Sequence, residues 1–293
     1  MDQMFILKLF APIFLIKNAR LLNSSRHFHA LTREKTKRRM AKGNERDDFF
    51  AHVLRDKNTQ ITPGFLESQS VLFVVAGSET TATFLTAATW YLTTTPRALD
   101  RLQKEIRGAF KSSGEINGDS TSSLRYLFGV MEEGLRVFGP VPVPLPRTCP
   151  GAMISGEYIP AGTVVHTASI ATARDARYWH DPEKFHPERW LSAEHEYHDA
   201  AFDQDMKDAS HPFSIGPRAC LGINLAYMEM RIILAKCKSA RVILRLLSNM
   251  EIVIWHFDME LTAKDIVWER DTKIHTLWKK PNVTVRFRPV IRD

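Results

Sequence analysis

The chain of 293 residues is 44% hydrophobic and 25% charged, a composition typical of a globular protein that buries a sizeable core, in one large domain or two smaller ones. Its three cysteines are too few and too scattered for a disulfide framework, which indicates a reducing compartment. The net charge of +7 favours an acidic partner or a membrane surface, and nucleic acid is the weaker interpretation because no helix-turn-helix, zinc finger or aromatic-basic pattern accompanies the charge.

The N-terminal segment contains one apolar stretch, Phe5–Ile16, which Lys8 and Pro12 interrupt. A helix that spans a bilayer needs about 20 apolar residues, so this stretch is expected to be too short to cross a membrane. Asp2 and the lack of a small-residue cleavage site argue against a signal peptide. We expect the segment either to lie on a membrane surface or to form a core helix, and the basic run Arg33–Lys42 to be a solvated helix face.

The middle of the chain predicts three helices. A helix cap at Thr62 and a stop signal at Pro96 predict a long helix over residues 62–95. The centre of this helix, Val71–Ala76, is apolar on every side, and we expect it to run through a core. Amphipathic periodicity predicts two shorter helices, over residues 96–110 and 124–138.

The remainder of the chain is less regular. Closely spaced prolines require an extended backbone over residues 140–146. Turn signals within Met153–Ala168 predict a short antiparallel patch, and a further helix is predicted over Ile223–Lys236. Helices therefore dominate, and the predicted fold class is mainly α with small β-sheets (α+β).

The most informative segment is His211–Gly222, HPFSIGPRACLG, in which glycines flank one cysteine and an arginine precedes it. Glycine permits tight turns and close approaches that a Cβ would block, so we expect a loop that presents the sulfur of Cys220. The predicted helix begins immediately afterwards, and the free N–H groups at a helix N-terminus favour a thiolate. A thiolate is the proximal ligand of haem iron in some oxygen-activating enzymes, whereas the alternative is a buried structural cysteine.

Two further motifs place charged groups at short spacing. In the element AGSETT, Glu79 stands beside Thr80 in the long helix, where it either donates protons as a general acid or forms a polar notch. Glu133 and Arg136 lie at i and i+3 on one helix face, which is usually a surface salt bridge. The irregular segment FHPERW supplies another guanidinium, that of Arg189.

Together, the FxxGxRxCxG loop, the AGSETT element and the ExxR pair resemble the motifs of the cytochrome P-450 superfamily, the haem-thiolate monooxygenases. The stretches ARDARYWHDPEKFHPERW and HFDMEL are most similar to fungal enzymes of secondary metabolism, of the isotrichodermin hydroxylase kind. The resemblance begins at about Arg33 and continues to the end of the chain. It implies the C-terminal portion of the P-450 fold, with the N-terminal part missing.

The resemblance implies that the chain binds haem b (iron protoporphyrin IX). Cys220 is then the axial ligand of the iron, and Phe213 shields its thiolate. Arg147 and Arg218 match positions whose guanidiniums bind the haem propionates, a task that suits bidentate arginine contacts. The predicted cofactor-binding residues are Cys220, Arg218, Arg147, Phe213, Gly216 and Gly222.

The resemblance also assigns the charged motifs. Glu79 and Thr80 are the predicted catalytic residues, which deliver protons to dioxygen. Glu133, Arg136 and Arg189 form a predicted structural triad that supports the cysteine loop. The loss of one member would leave a buried charge unpaired.

The implied function is the insertion of one oxygen atom from O2 into an apolar small molecule, a fungal secondary metabolite. The implied partners are an NADPH-dependent flavoprotein P-450 reductase and, for full-length relatives, a membrane surface at the cytosolic face of the endoplasmic reticulum, with no nucleic acid. The alternative is a truncated, non-catalytic remnant that keeps the motifs but does not hold haem productively.

The chain departs from the family pattern in two places. Residues 1–60 resemble the helices just before the long central helix, so a membrane anchor and further helices are expected upstream of Met1. Residues Cys237–Ile254 separate two pieces that nearly abut in the family. The alternatives for this tract are an extended helix, which its helical apolar periodicity favours, and an insertion. We predict the insertion, whose 18 codons (54 nucleotides) represent a retained intron that is largely absent from the mature transcript.

Overall fold

A computed structural model of the chain describes residues 19–43, 47–48, 50–52, 62–236, 254–263, 265–275 and 277–290. The chain divides into two units, Met1–Ala76 and Gly77–Asp293, and the boundary lies inside one long helix. The apolar stretch Phe5–Ile16 and residues 237–253 of the predicted insertion lie outside the described residues.

Helices dominate the described residues. Their bounds are α1 Ala19–Ala41, α2 Pro63–Thr94, α3 Pro96–Ala109, α4 Arg125–Val137, α5 Ser169–Thr172, α6 Ile223–Lys236 and α7 Trp268–Asp271. The four helices predicted from residue 62 onwards lie within one residue of the bounds of α2, α3, α4 and α6. Prolines at the first position of α2 and α3 explain why their starts are sharp, since proline suits the first helical position.

The strands of the described residues are short and pair only in twos. All four pairs are antiparallel: β1 Arg147–Thr148 with β4 Val164–Val165, β2 Ala152–Ile154 with β3 Glu157–Ile159, β5 Phe257–Leu261 with β8 Val285–Pro289, and β6 Lys273–Ile274 with β7 Trp278–Lys279. The turn between β2 and β3 consists of Ser155 and Gly156, whose φ angles of 51° and 88° suit a two-residue hairpin. Small sheets beside dominant helices confirm the predicted fold class, mainly α with small β-sheets.

In the first unit, α1 packs along the start of α2. The hydroxyl of Thr62 accepts a hydrogen bond from the backbone N–H of Phe65 at 3.2 Å and caps α2, as predicted. The buried hydroxyl of Thr36 donates to that of Ser70 at 2.7 Å. The spacing of Thr32 and Thr36 places two buried polar side chains on one face of α1, while the remaining face is largely exposed.

The expectation that the centre of α2 is buried is wrong for the stretch before the unit boundary. Leu72 is 55% exposed, Phe73 41%, and Val74 and Val75 each 42%. An apolar stretch favours burial, but its composition does not identify the surface that covers it. The hydrogen bond from α1 reaches α2 at Ser70, before this stretch.

In the second unit, the core lies where the later part of α2 joins α3 and α4. Among the described residues, α2 alone is long and apolar enough to cross a membrane by length and composition. Its later part, however, belongs to the hydrophobic core of the protein. Fully buried members of this core are Phe84, Leu92, Leu102, Leu127 and Val130.

A close approach of two backbones fixes the position of an irregular turn, Pro187–Trp190, against α4. A Cβ on Gly129 of α4 would lie only 2.6 Å from the carbonyl oxygen of Pro187. No side chain larger than hydrogen fits at this point without a shift of the turn. Because the same turn carries Arg189, the glycine sets how close this guanidinium comes to α4.

We predict that Gly129→Ala destabilises the protein by about 1–3 kcal/mol, because the added methyl group overpacks the contact between α4 and the turn. Gly108→Ala is the matched control, since Gly108 lies on an exposed face of α3 with nothing within 4 Å of an added Cβ. The control is expected to be neutral or stabilising by up to about 1 kcal/mol. Denaturant unfolding of the two variants measures the difference, and equal free energies of unfolding would contradict the prediction.

Candidate functional site

A buried carboxylate, that of Glu133 on α4, is the centre of the site. Arg136 donates from Nε to Oε2 at 2.9 Å and from Nη2 to Oε1 at 2.8 Å. Arg189 donates from Nε to Oε2 at 3.3 Å. The indole N–H of Trp190 and the backbone N–H of His186, each at 2.9 Å, are further donors. The structure thus brings together the three members of the predicted triad, whose side chains are completely buried.

Arg136 also holds the irregular segment that follows the hairpins. Its Nη1 donates to the carbonyl of Ala173 at 2.5 Å and to that of Pro182 at 2.8 Å, and its Nη2 donates to that of Lys184 at 3.1 Å. The guanidinium lies over the ring of Trp179, 5.1 Å from the ring centroid. One side chain therefore fixes three backbone positions that have no regular secondary structure of their own.

Arg189 has a second acidic partner that sequence reasoning missed. Its Nη1 forms an ion pair with Asp205, whose side chain is almost fully buried. Asp205 also accepts the backbone N–H of His180 at 2.6 Å. No periodic pattern surrounds Asp205 in the sequence, so only its spatial proximity to Arg189 reveals its role.

Next to the triad, Glu188 forms a second buried network that the sequence analysis did not predict. The hydroxyl of Tyr126 donates to Glu188 at 2.7 Å, and Arg101 donates at 2.5 Å. Burial, followed by the charge of Glu188 and the hydrogen bond to it, raises the pKa of Tyr126 well above its usual range, so the hydroxyl remains a donor. The sequence signal that could have indicated this network is that Glu188 directly precedes Arg189.

The cysteine loop has a defined backbone. The N–H of Cys220 donates to the carbonyl of Phe213 at 2.8 Å. Ser214 and Gly216 have φ angles of 59° and 71°, the left-handed region in which glycine is favoured. α6 begins at Ile223, three residues after the cysteine. The loop therefore presents Cys220 beside a helix N-terminus.

Cys220 is exposed, whereas Cys149 is buried, so the alternative of a buried structural cysteine describes Cys149 and not Cys220. Two apolar neighbours of the cysteine are also exposed, Ile215 by 66% and Leu221 by 84%. Arg218 is exposed and makes no ion pair within the described part of the chain. A thiol, apolar side chains and a guanidinium on one loop fit a haem, which requires a ligand for iron, apolar contacts for the macrocycle and a cation for its propionates.

Arg147, the other predicted propionate ligand, lies on β1 and is exposed. It donates to the carbonyls of Leu145 and Pro146 at 3.0 and 3.1 Å. Among the described residues, no hydrogen bond joins it to the cysteine loop. Its guanidinium retains donors for an anionic group, but the structure does not bring it into contact with Arg218.

The carboxylate of Glu79 is held by a lysine that sequence reasoning missed. Nζ of Lys280 lies 2.6 Å from Oε1 of Glu79 and donates to the hydroxyl of Thr83 at 2.6 Å. The lysine side chain is 15% exposed and that of Glu79 45%. Thr80 is half-buried beside it. Lys280 lies 201 residues after Glu79, and its local sequence contains no sign of this contact.

The electrostatics of the triad favour a charged carboxylate. Burial alone would raise the pKa of Glu133, but the charge and hydrogen bonds of Arg136 and the charge of Arg189 outweigh burial and lower the pKa below its ordinary value. The two buried guanidiniums of Arg136 and Arg189 therefore both require a negative charge at Glu133.

We predict that Glu133→Gln lowers the free energy of unfolding at pH 7 by about 3–5 kcal/mol, because the buried Arg136 loses its counter-charge and Arg189 keeps only that of Asp205. The pKa of Glu133 is lowered in the folded state, so the carboxylate contributes to the free energy of unfolding above the ordinary carboxyl pKa of about 4.3. This contribution is lost as the pH falls through the folded-state pKa. The wild type should therefore lose more stability than the variant between pH 7 and pH 3. Denaturant titrations at both pH values measure the two effects.

Asp100→Asn is the control for this variant, because Asp100 forms an exposed i,i+4 pair with Lys104 at 2.8 Å. Its expected effect is below about 1 kcal/mol. A Glu133→Gln effect no larger than that of the control would show that the buried network does not depend on the carboxylate charge.

Comparison with known proteins identifies the family. A sequence model of the family "Cytochrome P-450" matches residues 1–237, so the match ends at the first residue of the predicted insertion. The cytochrome P-450 monooxygenase btcC of Colletotrichum orbiculare is 45% identical over 262 residues, which are 89% of this chain and 47% of that protein. The cytochrome P-450 monooxygenase BOA3 of Botryotinia fuckeliana is 44% identical over 240 residues, 82% of this chain and 44% of that protein. For poxC of Penicillium oxalicum the identity is 43% over 263 residues, 89% of this chain and 52% of that protein.

The chain thus spans about half the length of the curated relatives that it matches, in agreement with the expected C-terminal portion of the fold. Its relatives are fungal monooxygenases, as the resemblance of its motifs implied. On the extent of the family match and the identity to these enzymes, the chain belongs to the cytochrome P-450 family.

Proposed function

We propose that this chain supplies the haem-binding and oxygen-activating part of a monooxygenase that inserts one atom of O2 into an apolar small molecule. The observation that carries the proposal is the exposed Cys220, held by the carbonyl of Phe213 in a left-handed loop at the start of α6. Family membership supports haem as the cofactor, and we propose haem b as its form. When bound, haem supplies an iron centre that activates dioxygen with electrons from a redox partner.

The residues of the cysteine loop have distinct tasks in this proposal. Sγ of Cys220 binds the iron, and the aromatic ring of Phe213 keeps water away from the sulfur. Gly216 permits the left-handed turn, and Gly222 lies beside the sulfur, where an added Cβ would be 3.9 Å from Sγ. Arg218, exposed on the same loop, binds a propionate.

Two further groups complete the proposed cofactor site. Arg147 on β1 binds a propionate, because its exposed guanidinium is accessible to this group. The triad of Glu133, Arg136 and Arg189 contacts no reacting group. Its proposed task is to hold the irregular segment from Ala173 onwards against α4.

Proton delivery is assigned to Glu79 and Thr80 on α2. Lys280 and Thr83 fix the carboxyl group of Glu79 from one side, with Nζ of Lys280 2.6 Å from Oε1. We propose that the hydroxyl of Thr80 donates its own proton to dioxygen as it is reduced and takes a replacement from the carboxyl group of Glu79, which regains a proton from solvent through its exposed side. Lys280 then acts on the reaction only through the position of Glu79.

The substrate and the redox partner are proposed from the family. Val141, Val143 and Leu145 are exposed apolar side chains next to β1, which suits contact with an apolar substrate such as a fungal secondary metabolite. We propose an NADPH-dependent flavoprotein reductase as the electron donor. We further propose that the full-length protein works at a membrane surface, the cytosolic face of the endoplasmic reticulum.

The first functional prediction concerns the ligand. After reconstitution with haem, the reduced carbon-monoxide complex of the chain should absorb at the position of thiolate-ligated haem, and Cys220→Ser should abolish this band. Cys149→Ser and Cys237→Ser are the controls and should retain it, because neither cysteine has the flanking glycines and arginine. A band that survives Cys220→Ser would identify a different ligand, and a chain that retains no haem would correspond to the non-catalytic alternative.

The second functional prediction concerns Thr80. The assay uses a form of the protein that binds substrate and accepts electrons from a reductase. In this form, Thr80→Ala should leave substrate affinity within about twofold but lower the product formed per electron by about tenfold, because the lost step is a proton transfer. The missing electrons should appear as hydrogen peroxide. Thr94→Ala, at the exposed end of the same helix, is the control. An unchanged product yield per electron would assign Thr80 to packing alone.

A further inference from the structure

A second carboxylate on α4 contacts the helix that follows the cysteine loop. Glu132 precedes the buried Glu133, and its side chain accepts a hydrogen bond from the hydroxyl of Tyr227 on α6 at 2.5 Å. Both side chains are half-buried. A hydroxyl that donates to a carboxylate makes a charge-assisted hydrogen bond, which is stronger than one between neutral groups, and burial from water strengthens it further.

The tyrosine keeps its proton in this arrangement. Burial, and then the charge of Glu132 and the hydrogen bond to it, raise the pKa of Tyr227 well above its usual range. Burial also raises the pKa of Glu132, while the hydrogen bond from Tyr227 opposes that effect. At neutral pH the hydroxyl of Tyr227 is therefore a hydrogen-bond donor, and its direction is fixed by Glu132.

The other side of Tyr227 faces the cysteine loop. The rings of Tyr227 and Phe213 lie 5.1 Å apart between centroids, with an angle of 40° between their planes. The carbonyl oxygen of Phe213 in turn accepts a hydrogen bond from the backbone N–H of Cys220 at 2.8 Å. Three successive contacts thus connect Glu132 on α4 with the backbone of the cysteine.

The start of α6 has partly exposed apolar side chains. Leu225 and Met228 are exposed by 41% and 38%, while Ala226 packs against the hydrophobic core. The neighbouring side-chain hydrogen bond from Thr81 to Glu229 is long, at 3.4 Å. Among the described residues, the hydrogen bond of Tyr227 directly joins the side chains of α6 and α4.

We propose that Tyr227 is a positioning residue for the cysteine: Glu132 fixes its hydroxyl, its ring fixes Phe213, and the carbonyl of Phe213 fixes the backbone of Cys220. The structural part of this inference concerns the chain alone, and its consequence for a bound metal rests on the proposed function. If Tyr227 served only as an apolar contact, its hydroxyl would be dispensable, because phenylalanine retains the same ring.

Hydrogen exchange at the backbone N–H of Cys220 tests the structural part in the 293-residue chain without added haem. Tyr227→Phe should speed exchange at this amide by about fivefold or more, because the loop loses one strong restraint while the ring contact remains. Glu132→Gln should speed it by about twofold or more, since a neutral amide is a weaker acceptor. Site-resolved exchange by NMR gives the rate for this single amide.

Glu229→Gln is the matched control, because it makes the same chemical change at a glutamate that accepts a hydroxyl hydrogen bond between helices but does not contact Phe213. It should leave exchange at Cys220 within about 1.5-fold of the wild type if the effect is specific to Tyr227. An unchanged rate at Cys220 in both Tyr227→Phe and Glu132→Gln, or an equal rise in the control, would overturn the proposal. Thermal melts identify a variant that fails to fold, and the other variant then decides the question.

The carbon-monoxide spectrum tests the consequence for the metal. With haem bound, Tyr227→Phe should move about half of the reduced complex from the thiolate-ligated band to a band of lower wavelength, at an unchanged haem content. The control should keep the thiolate-ligated band. A full thiolate-ligated band in Tyr227→Phe would overturn the consequence for the metal. Loss of haem binding by the wild type itself would contradict the proposed function without affecting the exchange result.

Discussion

The second unit depends on one electrostatic arrangement, in which the carboxylate of Glu133 lies between the guanidiniums of Arg136 and Arg189 with no access to water. Moving three charges out of water is costly, and the ion pairs and hydrogen bonds among these groups offset that cost. The arrangement is therefore coupled to the backbone positions that Arg136 and Arg189 hold.

The same arrangement explains how a long irregular segment acquires a fixed position. From Ala173 to Asp205 the chain has only short turns, so regular backbone hydrogen bonds do not hold it. Arg136 binds its carbonyl groups, and Arg189 binds Asp205 at its far end. With Asp205 included, two buried carboxylates balance two buried guanidiniums, so the buried charges that join the segment to α4 sum to zero. The aromatic ring of Trp179 covers both cations.

How far the sequence predicts this structure depends on the kind of signal. The bounds of the long helices follow from prolines and apolar periodicity, both of which act locally, and the observed ends of α2 differ from the prediction by one residue. The triad was predictable because its members lie in motifs that resemble a known family. Asp205 and Lys280 were not, because each acts on a residue far away in the sequence and sits in a segment without a period. The exposed apolar side chains of Leu72 to Val75 show a different limit of sequence-based prediction. Their composition predicts burial but does not identify the surface that would cover them.

The contact between Glu79 and Lys280 has a consequence for the order of assembly. A ribosome releases α2 long before it adds Lys280, which follows 201 residues later. Until then the carboxylate on α2 has no access to this ammonium group, and the closing of so long a loop has to be offset by other contacts. The orientation of the acid is thus acquired only after the core helices that follow α2 in the sequence have been synthesised.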